Sequence, residues 1–474
     1  MLFLTFEFLA FFTFVLILNW TLKRWPLVWR LFLLIVSYFF YSVWDLRFLL
    51  ILFIVSLINF IFGLLIQKNI LNQKKFLLSL SIIFNILILI VFKYYDFFRV
   101  STESLIEKIG LHATFPLLEI ILPLGLSFYI FRVISYNADV YSGKITATFS
   151  LLDFLIYVAF FPQLLAGPIA RAGDFLPQLK NGGAKTIENL YPNLTLIILG
   201  LFKKLVISSY LVLNLTDNVF AVPENHSSLT ILLAILAYTL VIYFDFSGYS
   251  DLSIGFAGLL GFKSPNNFDS PYLAQNLIDF WRRWHISFSS WLRDYVYIPL
   301  GGNRKGNTRK YLNLMAIMLI AGLWHGAALH FIFWGFLYGI GLVISHYYKD
   351  KQTIGSNSQR LAGRINKFFS WIFTFIFVSF CWIFFRSGSI RDAFTLIKNL
   401  FVSSIISEPI QIYVILSIIL GFFIFIFEKQ IIRYFSDFQK KLSLSGWILI
   451  IIFIIIIILK LSPETMPPFI YFSF

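Results

Sequence analysis

The chain has 474 residues, of which 59% are hydrophobic, 20% are aromatic and only 13% are charged. Because soluble domains have about 25% charged residues, this composition excludes an ordinary soluble protein. The formal net charge of +15 fits basic loops at the inner face of a membrane better than a nucleic-acid partner.

Long uncharged stretches recur along the chain and predict membrane helices, since one crossing needs about 20 apolar residues. The first stretch, residues 2–22, is broken only by Glu7. It lacks the basic start and the cleavage site of a signal peptide, so we expect a retained first crossing. Further uncharged segments cover residues 31–44, 48–67, 76–92, 120–131, 154–170, 225–244, 311–348, 368–385, 409–427 and 442–459, and Lys203 and Lys204 interrupt another apolar segment at 190–215.

These segments predict an all-α polytopic membrane protein with roughly 11 to 13 embedded helices, some of them short. No linker is long enough to divide the chain, so we expect a single membrane domain over residues 1–474. Its expected sections are N-terminal helices (1–119), a motif-bearing core (120–348) and C-terminal helices (349–474).

The positions of Lys and Arg predict the orientation of the chain in the membrane. Basic loops at 23–24, 349–367 and 429–441 are expected inside. Connections without Lys or Arg, at 217–228, at 402–411 and after Lys460, are expected outside, and the N-terminus also falls outside.

Residues 279–310 read DFWRRWHISFSSWLRDYVYIPLGGNRKGNTRK and concentrate the chain's polar chemistry. Aromatic residues interleave with the charges, which suits an amphipathic helix near the membrane surface. The segment is either a cytosolic loop that obeys the positive-inside rule or a polyanion site, since phosphates favour Arg, Lys and backbone N–H groups. The turn 301–306 adds flexible backbone but lacks P-loop spacing. Between residues 281 and 310 the only acid is Asp294. The basic residues in this span are Arg282, Arg283, Arg293, Arg304, Lys305, Arg309 and Lys310.

Residues 311–348 contain no Lys, Arg, Asp or Glu, and this uncharged run is longer than one membrane crossing requires. They predict two passes, or one pass and a re-entrant piece, with the break at WHGA, residues 324–327. His325 lies at this break, and a titratable side chain at membrane depth marks a candidate functional site. The competing interpretation is a packed histidine that hydrogen bonds to the backbone.

The other five histidines differ in their surroundings. His112, His226 and His346 lie in loops or at segment ends and are treated as incidental. His330 falls on a different helix face from His325 and packs as easily as it reacts. His285 stands among Arg and Trp residues, where an acyl or phosphate-bearing ligand can reach it.

Several kinds of site are disfavoured. The single Cys381 excludes an internal disulfide. We expect no metal site, because HExxH is absent and His325 has no Cys or nearby carboxylate partner in sequence. A Ser-His-Asp hydrolase is disfavoured because no GxSxG elbow is present.

Two long motifs, DFWRRWHISFSSWLRDYVYIPLGGNRKG and MLIAGLWHGAALHFIFWGFLYGIGL, closely resemble the membrane-bound O-acyltransferase family. The match is to the bacterial branch that acetylates secreted polysaccharides, of the alginate O-acetylation type. Residues 122–145, 160–171 and 243–262, and the ending FIYFSF, agree with this branch. The resemblance covers most of the chain from about residue 120 onward; the N-terminal third is similar only in its hydrophobic character.

The resemblance implies a ring of helices around a thin centre, where tilted or re-entrant helices surround a tunnel between the two membrane faces. It implies that His325, in the WHG motif, is the catalytic base, and that His285, in the WRRWH motif, is also important. It further implies a multi-pass protein of the bacterial cytoplasmic membrane that takes an acyl group, with acetyl-CoA as the expected donor substrate and no bound cofactor. An extracytoplasmic partner with a hydrolase-like fold (SGNH-like) and a secreted polysaccharide are the expected partners.

The residue chemistry suits this role. Neutral imidazole is a good base near pH 7, and an apolar core keeps it uncharged. Small residues near His325, at Gly322, Gly326, Ala327 and Ala328, are expected to leave room for a narrow passage. Besides the two histidines, the candidates for substrate binding or for orienting His285 are Asp279, Trp281, Arg282, Arg283, Ser287, Arg293, Tyr297, Asn303, Arg304 and Trp324. Asp245 and Ser247, at the expected end of an apolar segment, have either a capping or a site role.

Two alternatives stay open at this point. A sister branch transfers D-alanine to teichoic acid from a carrier protein. A transporter or flippase would also place His and Arg in the membrane, although the two halves of the chain show no inverted repeat.

Overall fold

A computed structural model of the chain describes residues 3–68, 73–111, 115–116, 121–184, 186, 190–352, 362–403, 409–439 and 441–470. Within these ranges all regular structure is helical and no strand occurs. The predicted loops 349–367 and 402–411 lie partly outside these ranges, and His112 and the last four residues of FIYFSF lie wholly outside them. The predicted orientation therefore stays a prediction.

Seven helical stretches are long and apolar enough to cross a membrane. They cover Leu46–Lys68, Lys74–Lys108, Leu190–Ala221, Ser228–Leu259, Leu329–Lys351, Asn366–Arg386 and Ile412–Gln439. Shorter apolar helices at Phe6–Leu22, Pro26–Ser42 and Leu449–Leu461 add to them. The prediction of an all-α, multi-pass membrane protein is confirmed.

The chain divides into two compact units, one of residues 1–193 and 252–265, the other of residues 194–251 and 266–474. The boundaries fall inside α10 (Leu190–Leu201) and α13 (Ser228–Leu259). The other helices of the first unit are α1 (Phe6–Leu22), α2 (Pro26–Ser42), α3 (Leu46–Lys68), α4 (Lys74–Leu89), α5 (Tyr95–Lys108), α6 (Leu126–Tyr141), α7 (Leu151–Ala159), α8 (Phe161–Leu164) and α9 (Ala172–Lys180).

Buried amides join three helices of the first unit. The Nδ2 groups of Asn85 and Asn137 each donate to Asn59 Oδ1 at 2.8 Å, and Ser81 Oγ donates to the same oxygen at 3.1 Å. Polar side chains between membrane helices bond to one another because lipid offers no partner, each bond contributing roughly 1 kcal/mol. This network fixes α3, α4 and α6 against each other.

The second unit carries the motif-rich part of the chain. Besides sections of α10 and α13, its helices are α11 (Ser209–Leu211), α12 (Asp217–Ala221), α14 (Leu277–Arg283), α15 (Ile286–Leu292), α16 (Gly306–His325), α17 (Leu329–Gln352), α18 (Ala362–Arg386), α19 (Ile390–Val402), α20 (Ile412–Gln439) and α21 (Leu444–Leu461). π-helical segments at Phe202–Ser208, Val212–Thr216 and Arg293–Tyr297 interrupt this pattern.

The uncharged run folds as the helical hairpin α16–α17, which confirms a break next to His325. Of these two helices only α17 is among the seven that are long and apolar enough to cross a membrane, so the choice between two passes and one pass with a re-entrant piece stays a prediction. Glycines bring the two helices close: a Cβ on Gly322 would collide with the carbonyl of Phe331, and one on Gly335 with that of Met318. The space beside Gly326 is likewise filled by the ring of Phe331. The expectation that Gly322 and Gly326 open a passage is therefore wrong, because their small size is used for close packing.

The single amphipathic helix expected in 279–310 is also wrong. The segment forms α14, a bend at Trp284 and His285, α15, a π-helical turn and a run of turns before α16 begins at Gly306. Asp245 lies in the interior of α13 rather than at a helix end, so a capping role is excluded for it.

Candidate active site

His285 lies at the bend between α14 and α15 with φ +42° and ψ +54°, in the left-handed region. A residue with a Cβ pays roughly 1–2 kcal/mol for this conformation, and such strain persists only where the surroundings fix it. Because the bend breaks what would be one helix, it turns the imidazole into the protein interior, where His285 is 1% exposed.

Asn267 holds this bend in place. Its backbone carbonyl accepts from the N–H of Ile286 at 2.9 Å, and its Oδ1 accepts from Ser287 Oγ at 2.6 Å. His285 Nδ1 lies 3.4 Å from the same Oδ1, while Asn267 Nδ2 donates to Ser250 Oγ at 3.1 Å. An amide oxygen only accepts, so His285 carries its proton on Nδ1 and its lone pair on Nε2.

Burial lowers the pKa of His285 to about 3, because an imidazolium loses its hydration in an apolar interior. Phe246 contacts the imidazole edge-on with ring centroids 4.6 Å apart. His285 is therefore a neutral base at physiological pH.

His325 is the last residue of α16 and is 4% exposed. Three rings surround its imidazole, with centroids 4.7 Å away for Trp324, 4.9 Å for Phe385 and 5.0 Å for Trp334. The tunnel expected to reach His325 from either membrane face stays a prediction.

Two aromatic rings contact both imidazoles. Phe288 lies 5.1 Å from the ring of His285 and 6.3 Å from that of His325, and Trp324 lies 6.0 Å and 4.7 Å from them. Phe288 and Trp324 stack on each other at 4.3 Å. The fold thus gathers the two motif histidines, 40 positions apart by their residue numbers, around one apolar centre.

Ser287 and Trp324 are the other predicted site residues that lie at this centre. Trp281 lies one shell away and contacts the rings of Trp334 and Tyr338 at 5.9 and 5.1 Å. His330 donates from Nδ1 to the carbonyl of Phe384 at 3.0 Å, so it serves packing.

The charged candidates Asp279, Arg283 and Arg293 take part in ion pairs. Asp279 Oδ1 accepts from Arg283 Nε at 2.9 Å on the same helix, and Arg293 pairs with its neighbour Asp294 at 2.8 Å. Asn303 and Arg304 are exposed on the turns before α16, and Tyr297 packs beside Gly302. Asn267 contacts His285 Nδ1, and whether Asp279, Arg282, Arg283 or Arg293 orients His285 or holds the phosphates of the donor stays a prediction.

Arg282 has a different environment. With Asp279 and Lys349 it lines an open groove of about 1140 Å³ whose other walls include the apolar side chains of Phe373 and Phe377. Cationic groups on an apolar groove suit a ligand with both phosphate and hydrocarbon character.

Sequence reasoning missed Asn267, Phe246 and Phe288. Asn267 stands in a polar loop eighteen positions before His285, and nothing in its surroundings distinguishes it from a turn residue. It also missed two buried charge clusters, Lys204 with Asp245, and Lys203 with Asp251 at 2.5 Å and Glu428 at 2.6 Å. Here the signal existed, because charged residues within apolar runs mark functional or paired positions.

Comparison with known proteins finds several relatives of this chain. It is 39% identical over 374 residues to a probable alginate O-acetylase of Pseudomonas aeruginosa, covering 78% of this chain and 69% of that protein. It is 36% identical over 402 residues to a peptidoglycan O-acetyltransferase of Helicobacter pylori, covering 79% and 74%. A teichoic acid D-alanyltransferase of Streptococcus thermophilus is 30% identical over 250 residues, covering 50% and 60%.

The sequence also matches the membrane-bound O-acyltransferase family over residues 30–386, a range that contains both motif histidines and the α16–α17 hairpin. The chain belongs to the membrane-bound O-acyltransferase family.

Proposed function

We propose that this protein O-acetylates a secreted or cell-surface polysaccharide, using acetyl-CoA at the cytoplasmic side of a bacterial cytoplasmic membrane. The observation that carries the proposal is the buried pair of imidazoles, His285 and His325, around the stacked rings of Phe288 and Trp324. Two bases in an apolar, water-poor centre suit transfer of an acyl group to a hydroxyl, because water would otherwise hydrolyse the donor.

In the proposed reaction His325 is the base. The acceptor hydroxyl oxygen attacks the thioester carbonyl while its proton moves to the imidazole, and the new C–O bond replaces the C–S bond. The proton then passes to the leaving thiolate, which restores the neutral imidazole and releases CoA. His285, held by Asn267 with its lone pair on Nε2, stands beside this path as a second proton acceptor.

The groove beside Arg282 supports an approach for the donor. Arg282 and Lys349 offer cations to the phosphates of CoA, and the apolar walls suit the rest of the carrier arm. Arg283 and Arg293 are paired with acids, which leaves Arg282 as the strongest phosphate candidate in the WRRWH motif.

The acceptor assignment rests on the relatives. The proteins named for alginate and peptidoglycan O-acetylation match 78–79% of this chain, whereas the teichoic acid D-alanyltransferase matches 50%. Polysaccharide acetylation is therefore favoured over D-alanyl transfer. An extracytoplasmic, SGNH-like partner is proposed to complete delivery to the polymer.

The test is release of CoA from acetyl-CoA by the purified protein, with and without a polysaccharide acceptor. We expect acceptor-dependent release by the wild type and its loss in His325→Gln, which changes no charge at neutral pH. His226→Gln is the matched control, a histidine outside the centre. Full transfer by His325→Gln would refute the role of His325, and a wild type that binds acetyl-CoA but never releases CoA would favour a carrier without acyl chemistry.

A further inference from the structure

The C-terminal segment 467–470 enters the interior of the second unit and is held there by a buried ion pair. Lys204 Nζ donates to the carbonyls of Pro467 and Pro468 at 3.1 and 3.2 Å and pairs with Asp245. The other carboxylate oxygen of Asp245 accepts from the backbone N–H of Ile470 at 2.8 Å. The side chains of Lys204 and Asp245 are 2% and 4% exposed.

The segment completes the hydrogen bonding of this pair. An ammonium group has three donors, and here one goes to Asp245 and two to the segment. A buried ion pair is tolerated only where its remaining hydrogen-bonding capacity is met, so the pair and the segment require each other.

The seated segment reaches the wall of the candidate site. Phe469 is 1% exposed, and its ring lies 4.3 Å from that of Tyr249 and 5.9 Å from that of Phe246. Phe246 follows Asp245 on α13 and makes the edge contact with His285 at 4.6 Å. A continuous packed path therefore runs from Asp245 through Phe469 and Phe246 to the imidazole.

We propose that Lys204 and Asp245 are positioning residues that seat segment 467–470, and that the seated Phe469 fixes Phe246 and thereby the His285 ring for acyl transfer. The inference rests on the proposed function. It assigns a role to two charges at membrane depth, where unneeded charges are costly.

The neighbouring cluster provides a contrast. Lys203 pairs with Asp251 and Glu428, and Tyr243 donates to the second oxygen of Glu428. These bonds join elements of the same unit without using segment 467–470. Glu428→Gln is therefore a control that perturbs a partly buried charge on α20 and leaves the seat of the segment in place.

The main variant is the double substitution Lys204→Met with Asp245→Leu. Replacing a whole buried ion pair by apolar residues is commonly neutral for folding, whereas removing one partner strands a charge. We expect this variant to fold, to lose Ile470 and Phe469 to carboxypeptidase faster than the wild type does, and to release CoA with a kcat at least about tenfold lower at unchanged acetyl-CoA KM. Mass spectrometry of the C-terminus and acceptor-dependent CoA release are the two readouts.

Phe469→Ala provides a second variant that touches no charge. It should lower kcat in the same way, Phe469→Leu should restore part of it, and Met466→Ala, at a partly exposed position just before the segment, should leave it unchanged. The inference would be overturned if either the double variant or Phe469→Ala kept the wild-type kcat. It would also be overturned if carboxypeptidase removed Phe469 and Ile470 no faster from the double variant than from the wild type. If the wild type never transfers acetyl, the proposed function is overturned instead. The carboxypeptidase result then tests only whether Lys204 and Asp245 seat segment 467–470.

Discussion

Asn267→Ala tests whether the amide that holds the bend at His285 sets up the chemistry. The substitution removes the acceptor of Ser287 Oγ–H at 2.6 Å and of His285 Nδ1–H at 3.4 Å, in a site where both side chains are at most 5% exposed. The imidazole would lose the bond that places its proton on Nδ1 and its lone pair on Nε2.

A buried donor left without its acceptor costs about 1–3 kcal/mol. The bond to the imidazole is long, so its share belongs at the low end of this range, while the short bond from Ser287 belongs near the upper end. Since about 1.4 kcal/mol corresponds to a factor of ten in rate, we expect kcat to fall about 10- to 100-fold. The acetyl-CoA KM should change little, because Asn267 does not line the Arg282 groove.

The assay is acceptor-dependent CoA release by purified protein whose fold is checked by thermal unfolding. Asn266→Ala, at the exposed neighbouring position, is the matched control. Asn267→Asp keeps both acceptors and should retain more activity than Asn267→Ala, while its negative charge raises the pKa of His285 and makes the rate fall at a higher pH on acidification. Wild-type kcat in a folded Asn267→Ala protein would refute the reasoning.

Three further outcomes are expected. Arg282→Ala should raise the acetyl-CoA KM by roughly tenfold, as for loss of a bond to a charged group, whereas Arg293→Ala should not; equal KM values would remove the groove from the donor path. Because burial holds the pKa of His285 at about 3, below its ordinary 6.5, the folded protein resists protonation and loses stability as pH falls below 6.5. The thermal unfolding temperature should therefore fall less steeply between pH 7 and pH 5 for His285→Gln than for the wild type. Identical slopes of unfolding temperature against pH would contradict the buried neutral state of His285. In a Cys381→Ser background, an impermeant thiol reagent on intact cells should label Ser404→Cys and not Ser356→Cys; the reverse pattern would invert the orientation.

The lengths of the uncharged runs predicted much of the architecture. Apolar runs predicted the membrane helices because a segment in lipid must pair its backbone polar groups internally, which a helix does, and must be long enough to span the bilayer. The run 311–348 was longer than one crossing requires and so predicted a break, and the hairpin α16–α17 turns next to His325. The two motif histidines were identified by resemblance, and only the structure brought them to the same pair of rings.

The bend at His285 had no local signal. Neither Trp284 nor His285 is a turn former, and the segment around them reads as one amphipathic helix, yet the backbone takes a left-handed conformation there. The reason lies in the loop residue Asn267, whose backbone and side chain replace the lost helical bonds. A long-range partner of this kind cannot be inferred from spacing.

The sequence by itself determined the class of the protein and its helical segments, because these follow from composition and from the lengths of its uncharged runs, whereas the motif histidines were identified through resemblance to a known family. Tertiary structure alone decided which distant polar groups meet: Asn267 with His285, and Lys204 with Asp245 and the C-terminal segment. Charges in an apolar interior must find partners, but which partner each finds depends on how distant helices pack, and one sequence does not specify that packing in any local pattern.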